Sequence, residues 1–318
     1  MHKNGSEIPE EPISLHPIEV HLLDQLETAD TRQTTRREFL RRGLIAGAGT
    51  VVLGSYAGIW EPRRVVVRRV ELRLPRLPEA FDGTTIAQIS DIHFEEFLPA
   101  SHIRDVVDEV NRLDPDIVAI TGDYATKNWG EANVGLRASA KKGAECAPIL
   151  AGLKSRFGRF AVLGNHDAST QPDIVADALV QNRITVLRNA SVPVERNGAR
   201  IWIAGADDVL QDYADFPKTF HGIPREEMTI ALVHEPDAAD KVQKYGADLQ
   251  LSGHSHGGQI RIPLIGAPVL PRLARKYPLG FYQIGKMQLF TNPGVGVVTV
   301  PFRFDCPPEI TFFALRRP

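Results

Sequence analysis

Gly253-His254-Ser255-His256-Gly257-Gly258 decides how this chain is read. Two histidines stand one residue apart between glycines. On an extended backbone, alternate side chains share a face. On a glycine-bounded turn they can fan around a point, because glycine adopts conformations that other residues avoid. Either way, two imidazoles are offered to one partner, and neutral imidazole is the commonest metal ligand. A short apolar run over 248–251 reads as a strand leading directly into the pair.

Working outward, the same arrangement recurs. The run 84–90 is followed by Asp91-Ile92-His93, the run 116–121 by Gly122-Asp123, and the run 159–163 by Gly164-Asn165-His166-Asp167. The run 229–233 is followed by His234. Ligands of sheets built from strand–helix units bind beyond the carboxyl ends of the strands. Five strand ends here each deliver a potential metal ligand. Between them, Ile103, Val106, Val107 and Val110 recur at helical spacing, which predicts a helix over 101–113 with Ser101 as its cap. Residues 127–142 are polar and read as a loop, with a helix after it around 144–154. Pro172 suits a first turn and predicts a helix to 181. Short strands follow at 184–187, 192–196 and 200–204, with Asn197-Gly198 as a hairpin turn. A loop with a short helix, a helix over 237–245 and strands at 280–284, 286–291 and 309–314 complete the folded part. The segment 63–74 ends in alternation and reads as a half-buried strand.

The candidate ligands are Asp91, His93, Asp123, Asn165, His234, His254 and His256. A tetrahedral zinc site needs only four. Seven, with one carboxylate bridging, suit two divalent cations about 3.5–4 Å apart, the clamp used for in-line attack at phosphorus. Imidazole suits zinc or iron, and carboxylate and amide oxygen suit harder ions such as manganese. The metal is left open among these. Each signal alone is common; their order and shared position at strand ends carry the argument.

In that order the motifs resemble those of calcineurin-like metallophosphoesterases, over residues 64–318. The resemblance implies an α/β fold, a four-layer α/β/β/α sandwich of two mixed sheets. It implies that Asp91, His93 and His256 hold a first metal, that Asn165, His234 and His254 hold a second, and that Asp123 bridges both. His166 would face the phosphate, stabilising developing charge or protonating the leaving oxygen, with Asp167 orienting it. A bridging hydroxide would hydrolyse phosphomonoesters or phosphodiesters. The runs Gly257-Gly258-Gln259-Ile260-Arg261-Ile262-Pro263 and Cys306-Pro307-Pro308-Glu309-Ile310 look like a branch of exported or membrane-attached bacterial phosphoesterases. In that branch an arginine-containing glycine loop is expected where this chain has Asn292-Pro293-Gly294-Val295-Gly296. Arg303 could contact phosphate or sit on a surface strand.

The chain's 318 residues are 43% hydrophobic and 24% charged, an ordinary globular composition. A formal charge of −2 gives no basic field for nucleic acid. Cys146 and Cys306 form no zinc or disulfide pattern and read as buried small hydrophobes. Residues 1–34 are polar, with Pro9, Pro12 and Pro17, and read as a disordered extension. Residues 35–60 then present Arg36-Arg37 with Phe39-Leu40, and an uncharged apolar run over 43–60. That layout resembles a twin-arginine signal, implying the twin-arginine translocase as an export partner and a periplasmic or other extracytoplasmic location. Cleavage near Ser55-Tyr56-Ala57 and retention as a membrane anchor are both open.

The stretch 260–280 is apolar and proline-broken, with Arg261, Arg272, Arg275 and Lys276. It reads either as a covering loop or as a surface for a lipid-linked phosphate or a membrane. A phosphorylated small molecule is one substrate class. A lipid-linked pyrophosphate, as for UDP-2,3-diacylglucosamine hydrolases, is another. A metal-binding scaffold without catalysis is a third reading, opposed by the complete ligand set. Replacing Arg36 and Arg37 by lysine is expected to strand the protein in the cytoplasm, as cell fractionation would report; unchanged export would refute the signal.

Overall fold

The structure is a computed structural model and describes residues 35–127 and 133–318. The expected disordered extension, residues 1–34, lies outside the described residues. The chain divides into two units, Met1–Val52 and Leu53–Pro318.

In the first unit a helix begins at Arg36. The element Arg36–Ser55 has 20 residues and buries none of them. At ~1.5 Å per residue it is about 30 Å long, close to a bilayer's hydrocarbon thickness. The helical stretch Arg36–Arg63 is long and apolar enough to cross a membrane by length and composition.

The second unit contains two six-stranded sheets. The first is built from β1 (Val66–Arg73), β2 (Thr85–Ile89), β3 (Ile117–Ile120), β4 (Arg159–Ala161), β5 (Thr185–Val186) and β12 (Glu309–Arg316), in the order β1-β12-β2-β3-β4-β5. The second is built from β6 (Ala190–Arg196), β7 (Ala199–Gly205), β8 (Thr229–Leu232), β9 (Leu249–Ser252), β10 (Gly280–Ile284) and β11 (Met287–Thr291), in the order β10-β11-β9-β8-β7-β6. Both sheets are mixed. β2, β3 and β4 run parallel while β12 opposes β2. β7, β8, β9 and β11 run parallel while β6 and β10 are antiparallel.

Residue type explains this placement. β3 (Ile-Val-Ala-Ile) and β8 (Thr-Ile-Ala-Leu) are buried at every position, as parallel strands covered on both faces must be. β10 alternates, burying Gly280 and Ile284 and exposing Phe281 and Gln283, so one of its faces meets water. Leu72, Ile86, Phe160, Ile203, Leu249, Phe290 and Phe313 fill the space between the sheets. Phe290 and Phe313 meet edge to face at 5.1 Å. Outside the first sheet, the helices Ala100–Leu113 and Pro172–Gln181 bury Ile103, Val106, Val110, Val175 and Leu179. Outside the second, Phe216, Phe220, Ala239 and Val242 cover Ala204, Ala231 and Leu289. The layers are therefore α/β/β/α, as the resemblance implied.

Several local expectations are corrected. Within the stretch expected as a loop, Asn133–Ala144 is a helix, and residues 128–132 lie outside the described residues. Its packing uses small residues, so no apolar stripe announces it. Ala140 is buried, and Gly143 lies so close to Ala125 that a Cβ would come within 2.6 Å of it. The helix expected around 144–154 is only Ala147–Leu150. The helix at Ala100–Leu113 starts after Pro99, and Ser101 is not its cap. The expected 237–245 helix is one α-turn, Ala239–Val242, between two 3-10 turns. There the Asp237 carboxylate accepts bonds from the amides of Arg275, Lys276 and Tyr277 instead.

Arg303 is neither a phosphate contact nor a surface residue. It is fully buried. Its guanidinium donates to the carbonyls of Gly296 (3.1 and 2.7 Å), Cys306 (2.9 Å) and Pro293 (2.8 Å). It thus holds together the loop where an arginine-bearing glycine segment was expected. His102 Nε2 adds a bond to the Val295 carbonyl at 2.8 Å. Both cysteines are free and buried. Arg303→Met would leave several buried carbonyls without donors and is expected to cost about 3 kcal/mol or more in urea unfolding. Arg112→Ala, removing a pair with Glu109 whose arginine is 69% exposed, is expected to cost under ~1 kcal/mol. Equally small losses would refute the role given to Arg303.

Candidate metal centre

The carboxyl ends of β2, β3 and β4 in one sheet meet those of β8 and β9 in the other. Asp91 and His93 follow β2, Asp123 follows β3, Asn165 and His166 follow β4, His234 follows β8, and His254 and His256 follow β9. The two sheets bring all seven candidate ligands to one edge. Ligand atoms of Asp91, His93 and His256 lie within 4.8 Å of one another, and so do those of Asp123, His234 and His254. A third such group joins His93 and Asp123 to His166.

Asp123 touches both of the first two groups. Its Oδ2 is 3.1 Å from His234 Nε2 and 3.6 Å from His93 Nε2. Its Oδ1 accepts the amide of His166 at 2.9 Å. Asp91 accepts the amide of His254 at 3.0 Å, and its Oδ1 lies 3.3 Å from His256 Nε2. His93 and His256 turn their Nε2 atoms toward each other at 3.1 Å.

Such convergence needs unusual backbone. Five of the seven ligand candidates have positive φ: Asp91 at 51°, His93 at 42°, Asp123 at 58°, His254 at 67° and His256 at 49°. Left-handed conformations in non-glycine residues cost on the order of 1 kcal/mol or more each and cluster at functional sites; Asp and His tolerate them better than most residues. The glycines beside them are spacers. A Cβ on Gly253 would sit 1.9 Å from Ser90 Oγ and 2.3 Å from Asp91 Oδ2. One on Gly164 would sit 2.2 Å from Asp123 Oδ1.

Hydrogen bonds to the far side of each ring select the nitrogen that faces inward. His234 Nδ1 donates to the Thr121 carbonyl at 2.6 Å, which turns Nε2 inward to lie 3.1 Å from Asp123 Oδ2. His254 Nε2 donates to the Arg272 carbonyl at 2.7 Å, leaving Nδ1 as its ligand atom. His93 Nδ1 lies 3.0 Å from Thr126 Oγ1, and with Nδ1 as donor its Nε2 is free. Fixing the ring tautomer in this way is the usual task of groups behind a metal ligand. Asn165 Oδ1 is buried without a partner.

His166 differs. Its Nδ1 accepts the amide of Lys127 at 2.9 Å, so the neutral ring must carry its proton on Nε2. A protonated Nε2 is no ligand but can donate a hydrogen bond. Asp167 does not touch this ring. Its carboxylate accepts the amides of Asp123, Tyr124, Ala125 and Gly164 at 2.8–3.0 Å. The expectation that Asp167 orients the imidazole is therefore replaced. Asp167 clamps the two loops together, and Lys127 sets the ring.

Burial dominates the electrostatics. It drives His93 down to about 3, aided by His166, and holds His254 and His256 below the usual imidazole range. These three rings are neutral and able to ligate. Burial raises Asp91 to about 7, with Asp123 adding to the shift. For Asp123 burial opposes ionisation, but His234 and His166 outweigh it and keep the carboxyl ionised. His234 is pushed the other way: burial resists its charge, and Asp123 beside it prevails. Behind this ring Glu235 accepts the amides of Val209 and Leu210. Burial and a shared proton with Glu235 raise Asp208 to about 10. Buried carboxylates on this scale need cations beside them. The unpartnered Asn165 oxygen and the neutral imidazoles of His93, His254 and His256, set beside two buried carboxylates, fit divalent metal ions. A surface cavity lined by Arg73, Arg76, Arg225, Asp248 and Gln288 lies at the other ends of β8 and β9, away from these residues.

Beyond the adjacency of Glu235 to His234, the sequence offers no sign of Thr126, Lys127, Glu235 and Asp208 at the site, nor of the Arg272 carbonyl behind His254. Most act through backbone atoms or through partners distant in sequence, which leave no residue-type signature.

Residues 84–258 match the family model described as calcineurin-like phosphoesterase. The chain is 33% identical over 295 residues to an uncharacterized metallophosphoesterase, YkuE, of Bacillus subtilis (strain 168), covering 90% of this chain and 99% of that protein. It is 29% identical to phosphodiesterase YaeI of Escherichia coli (strain K12), covering 86% of this chain and 98% of the relative. It is 27% identical to the UDP-2,3-diacylglucosamine pyrophosphatase LpxG of Chlamydia trachomatis, covering 83% and 93%. With the family model spanning more than half of its length and a relative matched nearly end to end, this chain belongs to the calcineurin-like phosphoesterases, hydrolases of phosphoester bonds.

Proposed function

We propose that this enzyme uses two divalent ions to hydrolyse phosphomonoesters or phosphodiesters in the cell envelope. The observation that carries the reading is the pair of three-residue groups, Asp91/His93/His256 and Asp123/His234/His254. Asp123 Oδ2 reaches imidazoles of both. Asp91, His93 and His256 would hold one ion. Asn165, His234 and His254 would hold the other, and Asp123 would bridge them. When bound, the ions would lower the pKa of an attacking water and neutralise phosphoryl oxygens. The donor set of carboxylate, amide and imidazole accommodates manganese, zinc or iron.

The protein groups have separate tasks. Asp123 would serve both ions, because one of its oxygens faces imidazoles of both groups. His166 donates its Nε2–H to a phosphoryl or leaving-group oxygen. The Lys127 amide favours that donor over a proton-delivering imidazolium, since protonating Nδ1 would break the 2.9 Å bond. Asp167 holds the β3 and β4 loops in register, so that Asp123 and His166 share one frame.

Location belongs to the same proposal. Arg36-Arg37 before an apolar helix favours passage through the twin-arginine translocase, with residues 43–60 anchoring the domain outside the cytoplasm. A second reading is hydrolysis of a lipid-linked pyrophosphate. The 27% identity to a protein named UDP-2,3-diacylglucosamine pyrophosphatase favours it. A panel of envelope lipids and nucleotides, assayed with the metal-loaded protein, separates the two.

Asp123→Asn is expected to remove both ions, as elemental analysis would measure, and to lower bis-p-nitrophenyl phosphate hydrolysis by more than ~10³-fold. Retention of two ions with parental turnover would overturn the bridging role. His166→Ala is expected to keep the metal content and lower kcat by roughly 10²–10³-fold, the usual loss on removing one transition-state donor. Parental kcat in that variant would remove His166 from the mechanism.

A further inference from the structure

We propose that the loop following the His254–His256 turn, together with Phe302 and Trp60, is a membrane-docking face that rests on an anionic lipid surface and holds the metal centre against it. Leu264 is fully exposed, Ile265 is 74% exposed and Val269 is 75% exposed. Val300 and Phe302 expose more than a third of their surface, and Ile59 and Trp60 more than half. Isolated exposed apolar residues are normal, but contiguous ones mark an interaction site.

These residues are contiguous because their segments are bonded to one another. The Arg261 amide donates to the Phe304 carbonyl at 2.8 Å, and the Phe304 amide to the Gln259 carbonyl at 2.8 Å. The Gln259 side chain closes a second pair with Val298, donating and accepting at 2.8 Å. The Arg303 amide donates to the Ala57 carbonyl at 2.9 Å, and the Phe302 ring fills the space beside Gly58. The loop, the 298–304 segment and the helical turn at Tyr56–Trp60 therefore form one surface.

Chain connectivity favours a bilayer over a protein partner. The helical stretch long and apolar enough to cross a membrane, Arg36–Arg63, includes the Tyr56–Trp60 turn of this surface. With that turn part of the patch, insertion of the stretch into a bilayer would bring the patch to the membrane surface. The composition fits that depth. The Arg64 guanidinium lies over the Trp60 ring at 5.0 Å, and an amphipathic ring with a neighbouring cation suits the headgroup layer. Arg63, Arg64, Arg272 and Arg275 are exposed around the apolar residues, and none pairs with an acidic side chain among the described residues. Such a fringe attracts anionic lipid.

The face adjoins the candidate site directly. The Arg272 carbonyl orients His254, and Ala267 packs so tightly on Gly258 that a Cβ there would come within 2.3 Å. If the hydrolase reading holds, phosphoesters at headgroup depth are the substrates within reach; the docking itself does not depend on that reading.

The test labels the full chain at Leu264→Cys with an NBD fluorophore, the native cysteines being buried. Glu226→Cys, exposed before the amino end of β8, is the reference. The protein is reconstituted into phosphatidylcholine–phosphatidylglycerol vesicles. The label at residue 264 is expected to shift to the blue and to be quenched by headgroup-proximal spin-labelled lipid at least threefold more than the label at residue 226. Equal, water-like emission at both positions overturns the proposal. So does a blue shift at residue 264 that appears without lipid and grows with protein concentration, which would assign the face to a second copy. Neither readout involves hydrolysis, so failure of the catalytic reading would show separately.

Discussion

One carboxylate holds the architecture of the site together. Asp123 stands on left-handed backbone, its amide bound by Asp167, its Oδ1 by the His166 amide, and its Oδ2 facing imidazoles from both sheets. A buried carboxylate is stable only where its charge is answered. Asp123 is answered from two sides of the sandwich, by the His166 amide in the β4 loop and by His234 at the end of β8. Separating the sheets by even a small distance would strand this charge. The residues packed between the sheets, Phe290 on Phe313 among them, hold apart the two layers across which Asp123 and His234 meet.

The rest of the cluster accepts strain to complete the arrangement. Asp91 and His93 turn through positive φ immediately after β2, as His254 and His256 do after β9. This reversal aims side chains back over the strand ends instead of along them. Gly253 then permits contact, since any Cβ would collide with Ser90 and Asp91. Asp91 in turn bonds the His254 amide, so each loop orders the other. The two sheets behave as one unit at this edge because their loops interlock through main-chain donors and carboxylate acceptors.

The sequence made the strand ends legible because a strand buried on both faces is a short apolar run, and the residue after it is conspicuous. It also made the Asn197-Gly198 hairpin legible, since both residues take positive φ there. The Asn133–Ala144 helix was hidden because it packs through alanine and glycine and presents no apolar stripe. Asp167 was misread for a different reason: a carboxylate beside a histidine suggests an Asp–His pair, but its neighbours in space are four amides from loops 40 residues apart, which no spacing encodes. Arg303 was misread because an arginine near the end of a chain is ordinarily solvated. Here its donors satisfy carbonyls of a loop that carries no arginine of its own. The roles of Thr126, Lys127 and Arg272 depend on ring tautomers, and tautomers depend on the finished fold.

The amino-terminal helix bears on the site through the same logic. Glu61 is fully buried, and its Oε1 accepts the Cys306 amide at 2.7 Å. The Cys306 thiol points to the His256 carbonyl at 3.3 Å. Glu61 and Cys306 therefore connect the end of the apolar run to His256. The small-residue stretch Ser55-Tyr56-Ala57 sits in helical backbone, with Tyr56 against Phe304 and Ala57 bonded to Arg303. Glu61 and Cys306 thereby tie the residues that follow this turn to the wall behind His256.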